Sequence, residues 1–330
     1  MLAFVISRIL QSSVVMLVVT LIAFSLFRYV GDPVLAMTGQ ETSVEDRERL
    51  RTRLGLSDAV AVQAARFVAR AASGDFGISF RQRRPVAEML AERLPATLEL
   101  SLVSVVFALG VGIPMGVYSA LRRDSWLARA FQVVSLVGIS LPPFLVGILL
   151  IFLFAVLLGW LPSSGRGAVV SLGWWTSGFL TLSGLKSLIL PGITLGLYQM
   201  TLLMRLVRSE MLEALRTDYV KFARARGLTN RTVYFGHALR NTLVPVITVT
   251  GLQLGSVIAF AVITETVFQW PGIGYQFIQA VASVDIPVMA AYLVMVGFIF
   301  VVINLVADLL YFWIDPRLRA ERVVTAGRLT

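Results

Sequence analysis

The chain has 330 residues, of which 57% are apolar and only 15% charged, with a formal net charge of +10. Soluble domains carry about 25% charge, so this composition and the mean hydropathy of +0.81 exclude a cytosolic globule and point to a membrane protein crossing the bilayer several times. There is no cysteine and one histidine, His237, which excludes a disulfide framework, a thiolate zinc site, a cysteine nucleophile and an imidazole metal cluster.

Apolar runs near the ~20 residues that span a bilayer core predict six helices in chain order. They lie at Ile9 to Val30, Ala96 to Leu121, Ala130 to Leu161, Ser187 to Leu206, Thr242 to Phe268 and Pro287 to Trp313. The first run follows Arg8 as a signal peptide would, but Phe27-Arg28-Tyr29-Val30-Gly31-Asp32 offers no small-x-small cleavage site, so residues 1–30 read as a retained anchor. The third run is long and contains Pro142-Pro143, which predicts a kink or a strong tilt.

Short loops fix the orientation. Arg8, Arg122, Arg123, Arg129, the eight basic residues from Arg205 to Arg240 and four arginines of the tail share one side, against Arg166 and the boundary residue Lys186 on the other. That predicts both termini in the cytoplasm. Residues 31–95 lie outside, since loops of that length cross largely regardless of charge. Within them Ser43 and Asp46 resemble a capping box. Val60, Ala64, Phe67, Val68 and Ala71 form an apolar stripe ending at Gly74, and Pro85 precedes a further helix from Val86 to Leu94. This small helical cap fits a folded connector or a docking surface equally. The core is residues 96–314, and 315–330 form a tail.

No G-x-x-x-x-G-K-[ST], H-E-x-x-H or G-x-S-x-G occurs in the sequence, so the chain has no Walker-type ATP site and no zincin or serine-hydrolase signature. Gly112 and Gly116 have small-xxx-small helix-packing spacing. Glu99, Glu265 and Asp308 fall within about two turns of predicted helix ends, where headgroup water reaches them, and Arg28 can snorkel outward. The remaining interior polar groups are Ser140, Gln199, Gln253 and Asn304, with carbonyls freed by proline and glycine. They fit either bonding between helices or contact with a polar solute. A self-powered secondary transporter would keep coupling-ion groups at mid-membrane, and these are scarce.

Residues 205–241 read as a built element on the cytoplasmic face. Asp218 is placed to cap a helix through Tyr219, Val220, Phe222, Ala223 and Ala225; Gly227 supplies a left-handed turn; Thr229 or Asn230 can cap the next helix. The composition fits an acidic partner surface or anionic lipid.

The run Asp218-Tyr219-Val220-Lys221-Phe222-Ala223-Arg224-Ala225-Arg226-Gly227-Leu228, with His237-Ala238-Leu239-Arg240-Asn241 and Pro245, resembles the cytoplasmic loop of binding-protein-dependent ABC importer permeases, in their dipeptide/oligopeptide branch. Ala223 and Gly227 match the general Glu-Ala-Ala motif. Lys221 and Phe222 depart from it, as do His237 and Arg240. Further similarity lies in Gly74-Asp75-Phe76-Gly77, Arg93 to Glu99, Gly159-Trp160-Leu161-Pro162, Leu188-Ile189-Leu190-Pro191, Glu265 to Phe268 with Trp270-Pro271-Gly272, and Asp315-Pro316-Arg317. Permeases for nickel, glutathione and other small solutes look similar. The resemblance implies an all-α, six-helix type I ABC importer permease fold in a bacterial inner membrane. It also implies no cofactor, and a coupling loop of Asp218, Tyr219, Ala223, Arg224, Ala225, Arg226, Gly227, Leu228, His237, Leu239, Arg240, Asn241 and Pro245. Expected partners are a second homologous permease, two cytoplasmic ATPase subunits, an extracytoplasmic solute-binding protein and the lipid bilayer, with no nucleic acid. A stand-alone secondary transporter or channel is the alternative, and an intramembrane enzyme a distant third.

Overall fold

The computed structural model describes residues 2–29, 34, 43–53 and 56–314. The tail from 315 onward, with its Asp315-Pro316-Arg317 motif, lies outside them. Among the described residues the regular structure is helical apart from one short hairpin and an isolated bridge between Ile78 and Pro85. Helix α1 (Leu2–Tyr29) leads to the shorter helices α2 (Val44–Arg53) and α3 (Val60–Ala72), then α4 (Val86–Leu121) and α5 (Trp126–Ser140). Helix α6 (Pro143–Leu150) continues as a π-helical turn over Ile151–Leu157. Strands β1 (Val170–Leu172) and β2 (Trp175–Ser177) pair antiparallel, with Ser171 opposite Thr176. Then come α7 (Leu182–Ala214), α8 (Asp218–Ala225), a π-helical segment (Thr232–Ala238) running into α9 (Leu239–Val267), α10 (Ile273–Ala282) and α11 (Ile286–Ile314).

Among the described residues four helices, α1, α4, α7 and α11, are long and apolar enough to cross a membrane alone, and the total is six when each bent pair counts as one span. The first bent pair carries the expected kink at Pro142-Pro143, where neither proline offers an N–H to the last turn of α5, and α5 and α6 meet there at 115°. The second pair bends by 47° between Gly251 and Gln253.

The expected separate helix before residue 95 is instead the first part of α4, which runs unbroken for 36 residues through Pro95 and Pro114, with Pro85 as its N-cap residue. An interior proline costs about 3 kcal/mol. Val86, Met89 and Leu90 are buried against α10 and α11, and burial at roughly 1.5–3 kcal/mol for each such side chain outweighs that cost.

The centre of the fold is the seam between α4 and α7. A Cβ on Gly112 would lie 2.8 Å from the Met200 carbonyl oxygen, and one on Gly116 2.7 Å from that of Met204, so the small-xxx-small spacing does bring two backbones together. Ala108, Met115, Met200, Leu203, Met204 and Val207 fill the seam around them. Helix α1 packs on α11, where Arg8 Nε meets Asp308 Oδ2 at 3.1 Å. At the other end of α1, Arg28 does not run free to solvent: it donates to Gln63 Oε1 of α3 at 3.1 Å.

Before α4 the signals at Ser43, Asp46 and Gly74 hold. The Asp46 N–H donates to Ser43 Oγ at 3.1 Å, and α3 ends in a turn with Gly74 at φ +76°. Arg70 Nε and the Gly77 N–H both donate to the Asp75 carboxylate at 2.9 Å, which holds that carboxyl below the usual carboxylate range.

Candidate functional site

The face carrying residues 205–241 is made from helix ends. Helix α7 extends to Ala214, well past the predicted Leu206, so only short links remain around α8. Thr217, rather than Asp218, is the N-cap residue of α8. Asp218 is the first helical residue. It accepts from Lys221 Nζ at 2.8 Å, and this bond lowers its pKa from the usual carboxylate value. Val220 and Ala223 turn inward onto Val233, with Leu215 and Tyr234 at the edge, forming a miniature core beneath the helix.

The turn closes as expected. Gly227 has φ +78°, and its N–H donates to the Arg224 carbonyl at 2.9 Å while the Leu228 N–H donates to Ala223 at 3.3 Å. Thr229 Oγ1 then accepts from the Thr232 N–H at 3.4 Å. The following helix is not a separate element, however. It passes through the π-helical segment into α9 without a link.

The outward surface combines apolar and cationic groups. Tyr219, Phe222, Leu228 and Phe235 are exposed, with Arg224 over the Tyr234 ring at 5.9 Å and Arg226 over the Phe222 ring at 5.7 Å. Ala225, Arg240 and Asn241 are exposed, His237 and Leu239 are partly covered, and Pro245 lies inside α9. Such a surface suits another protein, since aromatic and guanidinium groups give dense contact and directional bonds.

Of the four interior polar residues, the structure brings two together. Gln199 and Gln253 line a small cavity between α4, α7 and α9, with Val105, Ala108, Leu203, Thr250, Leu254 and Val257. Ser256 bridges them: it lies 3.5 Å from Gln199 Nε2 and donates to the Gln253 backbone carbonyl at 2.7 Å. Asn304 is not part of this group, because its Nδ2 donates to Phe300 of its own helix at 2.8 Å. Ser140 stands apart at the end of α5.

Glu99 and Glu265 correct the expectation of water-accessible carboxylates, since both are fully buried. The outer segments fold over them. Arg166 Nη2 donates to Glu99 Oε2 at 2.6 Å and to the Thr176 carbonyl at 2.6 Å, and the Gly178 N–H reaches the same carboxylate at 3.2 Å. Arg166, taken from sequence only as a topology marker, therefore pins the β1–β2 hairpin to α4.

Glu265 reaches across the turn to the first turn of α10. The Thr97 hydroxyl donates to its Oε1 at 2.5 Å and the Tyr275 N–H to its Oε2 at 2.9 Å. Thr97 Oγ1 accepts from the Ile273 N–H at 2.9 Å, and Trp270 Nε1 donates to the Ala96 carbonyl at 2.9 Å. A Cβ on Gly272 would collide with the Glu265 carboxylate. The segment Trp270-Pro271-Gly272-Ile273-Gly274 is thus built around a buried capping acid. Asp285 makes a third such knot, accepting from Ser79 Oγ at 2.5 Å and the Phe80 N–H at 3.1 Å.

Comparison with known proteins accounts for this arrangement. The chain is 42% identical over 319 residues to the di/tripeptide transport system permease protein DppB of Pseudomonas aeruginosa, covering 92% of this chain and 95% of that one. It is 37% identical over 332 residues to the dipeptide transport system permease protein DppB of Alkalihalophilus pseudofirmus, covering 97% and 100%. Among solved structures, a chain of the methionine ABC transporter MetNI in an inward-facing conformation superposes with TM-score 0.55 at 19% identity, covering 69% of this chain and 96% of that one. The fold is that of a type I ABC importer permease. Residues 112–320 match the family of the binding-protein-dependent transport system inner membrane component, and residues 1–101 match the N-terminal region of the same membrane component. The chain therefore belongs to the binding-protein-dependent transport system inner membrane component family, the inner-membrane permease subunits of ABC importers.

Proposed function

We propose that this permease carries di- or oligopeptides, and that residues 205–241 are the coupling element through which separate ATPase subunits drive it. The peptide assignment rests on near-full-length similarity to the permeases named above. The coupling role rests on one observation: α8, the Gly227 turn and the π-helical segment form a packed unit with an exposed aromatic and arginine surface, continuous with α9. Asp218, Tyr219, Arg224, Arg226 and Leu228 meet the ATPase. Ala223 and Gly227 keep the helix and turn compact, and His237, Leu239, Arg240, Asn241 and Pro245 carry displacement into the span.

Closure of the ATPase pair displaces α8 and rocks the spans between inward and outward openings. A second, homologous permease completes the path, and an extracytoplasmic binding protein delivers solute to the side bearing residues 31–95. The arginine distribution supports a cytoplasmic location for both termini. Hydrolysis belongs to the ATPase subunits, and Gln199 and Gln253 supply neutral hydrogen-bonding groups along the route.

Reconstitution tests this reading. Proteoliposomes holding both permeases, the ATPases and the binding protein are expected to take up dipeptide only with ATP inside the compartment facing the ATPases. Uptake by this chain without any ATPase, driven by an ion gradient, would refute it.

A further inference from the structure

The join between α5 and α6 leaves backbone acceptors without donors. In an unbroken helix the carbonyls of Gly138 and Ile139 would accept from residues 142 and 143, but both of these are proline. The Leu141 N–H donates to Val137 at 3.0 Å, no backbone bond runs from the Phe144 N–H to Ser140, and Leu145 and Val146 donate to Pro142 at 3.0 and 3.2 Å. Among the described residues, nothing donates to the carbonyls of Gly138, Ile139 or Ser140, and the Ser140 hydroxyl makes no bond.

Packing places this join level with the middle of α7, a helix long and apolar enough to cross a membrane. Phe131 of α5 meets Tyr118 near the end of α4, with ring centroids 5.8 Å apart. Gly138 packs against Leu197 and Thr201 in the middle of α7, and Gly147 of α6 packs against Val267 and Phe268 at the far end of α9. The join thus lies between mid-span and the end of α9. One side of it is sealed by α7. On the other, Ile139, Ser140, Pro142, Pro143 and Phe144 are exposed.

Irregular backbone with free carbonyls does not face hydrocarbon; at membrane depth it is kept where it is buried in protein or lines water. A neighbouring transmembrane helix spends its own N–H groups internally, so it has few donors for three clustered acceptors. The carboxyl end of α5 also carries the negative pole of its helix, which favours cationic and N–H-bearing groups. We infer that the Ser140–Pro143 break faces the aqueous translocation path, where the carbonyls of Gly138, Ile139 and Ser140 accept hydrogen bonds from water and from the N–H and ammonium groups of a passing peptide. The inference rests on the importer reading above and identifies a donor-bearing solute as the matching class.

The sequence contains no cysteine, so single cysteines in this chain report alone. Ser140→Cys and Ile139→Cys are introduced into the complete importer in membrane vesicles, with Val14→Cys on the exposed face of α1 as the lipid-facing reference. Modification by a charged, water-soluble methanethiosulfonate is then timed, using the complex with the cysteine-free chain as background. The expected result is modification at positions 140 and 139 at least tenfold faster than at 14. Rates no faster than at Val14→Cys, whether lipid or protein covers the break, overturn the inference. Should Ser140→Cys fail to assemble, Ile139→Cys decides. ATP-driven dipeptide uptake by the cysteine-free parent is measured in the same vesicles: uptake without modification removes this inference alone, whereas absence of ATP-dependent uptake removes the importer reading.

Discussion

Replacing Gly227 tests the proposed coupling role of residues 205–241 through a single dihedral angle. A Cβ at this position would meet nothing within 4 Å, so the entire penalty of a side chain lies in the backbone. At φ +78° an L-residue costs roughly 1–2 kcal/mol, asparagine is tolerated better, and a β-branched residue is a genuine outlier. The element has little reserve, because its own core is Val220, Ala223 and Val233. A loss of 1–2 kcal/mol shifts the folded turn by about 5- to 30-fold. Initial rates of ATP-dependent uptake in proteoliposomes are therefore expected to fall about fivefold for Gly227→Ala and about thirtyfold or more for Gly227→Val, with Gly227→Asn within about twofold of the parent. ATP hydrolysis measured in parallel should lose its link to uptake as the turn is lost. Wild-type uptake by Gly227→Val would show that the left-handed turn is dispensable. Equal impairment by Asn and Val would show that side-chain volume, not φ, decides the outcome.

Two further outcomes follow from the outer face. Arg166→Leu strands the buried Glu99 carboxylate and should lower unfolding free energy by about 3–5 kcal/mol, whereas Arg166→Leu with Glu99→Leu should recover much of that loss; thermal denaturation in detergent compares them, and a double variant no better than the single would contradict the ion-pair account. The Asp75 carboxyl is depressed by Arg70 and the Gly77 amide. Its contribution is therefore complete above the unfolded aspartate value of about 3.9 and is lost as pH falls through the lower folded value. Exchange protection of the Gly77 amide, corrected for intrinsic rate, should be flat from pH 8 to 5 and decline below about 4. Asp75→Asn should abolish that decline, and an unchanged acid response in the variant would assign it to another group.

The elements legible in the sequence were those governed by local chemistry. Apolar length gave the spans, Gly227 and Gly74 gave the left-handed turns, and Ser43 with Asp46 gave a helix start. The misread features depend on partners distant along the chain. Glu99 and Glu265 lie near span ends, where water is the ordinary neighbour, and only the folding of residues 166 and 273–275 over them removes it. Arg166 carries no local sign of its partner 67 residues away. Pro95 marks the end of the expected Val86 to Leu94 helix because proline breaks isolated helices, and burial of Val86, Met89 and Leu90 overrides that tendency, while Pro85 does stand at the helix start. The Trp270-Pro271-Gly272 turn, with an acid five residues before the tryptophan, was the one available hint of the Glu265 cap. Pro142-Pro143 announced a discontinuity, but its 115° angle depends on how α6 packs over α7 and α9.

The π-helical passage from Thr232 to Ala238 closes i→i+5 rings where an α-helix closes i→i+4, which is the geometric trace of one extra residue in a rod that is otherwise continuous. Every side chain on the α8 side of it is therefore turned by about 100° relative to an uninterrupted α-helix of 3.6 residues per turn. The azimuth at which the Gly227 elbow presents Tyr219 and Arg224 is set by that single surplus residue, so excising Gly236, which contributes no side chain to that surface, would swing α8 and its turn around the axis of α9.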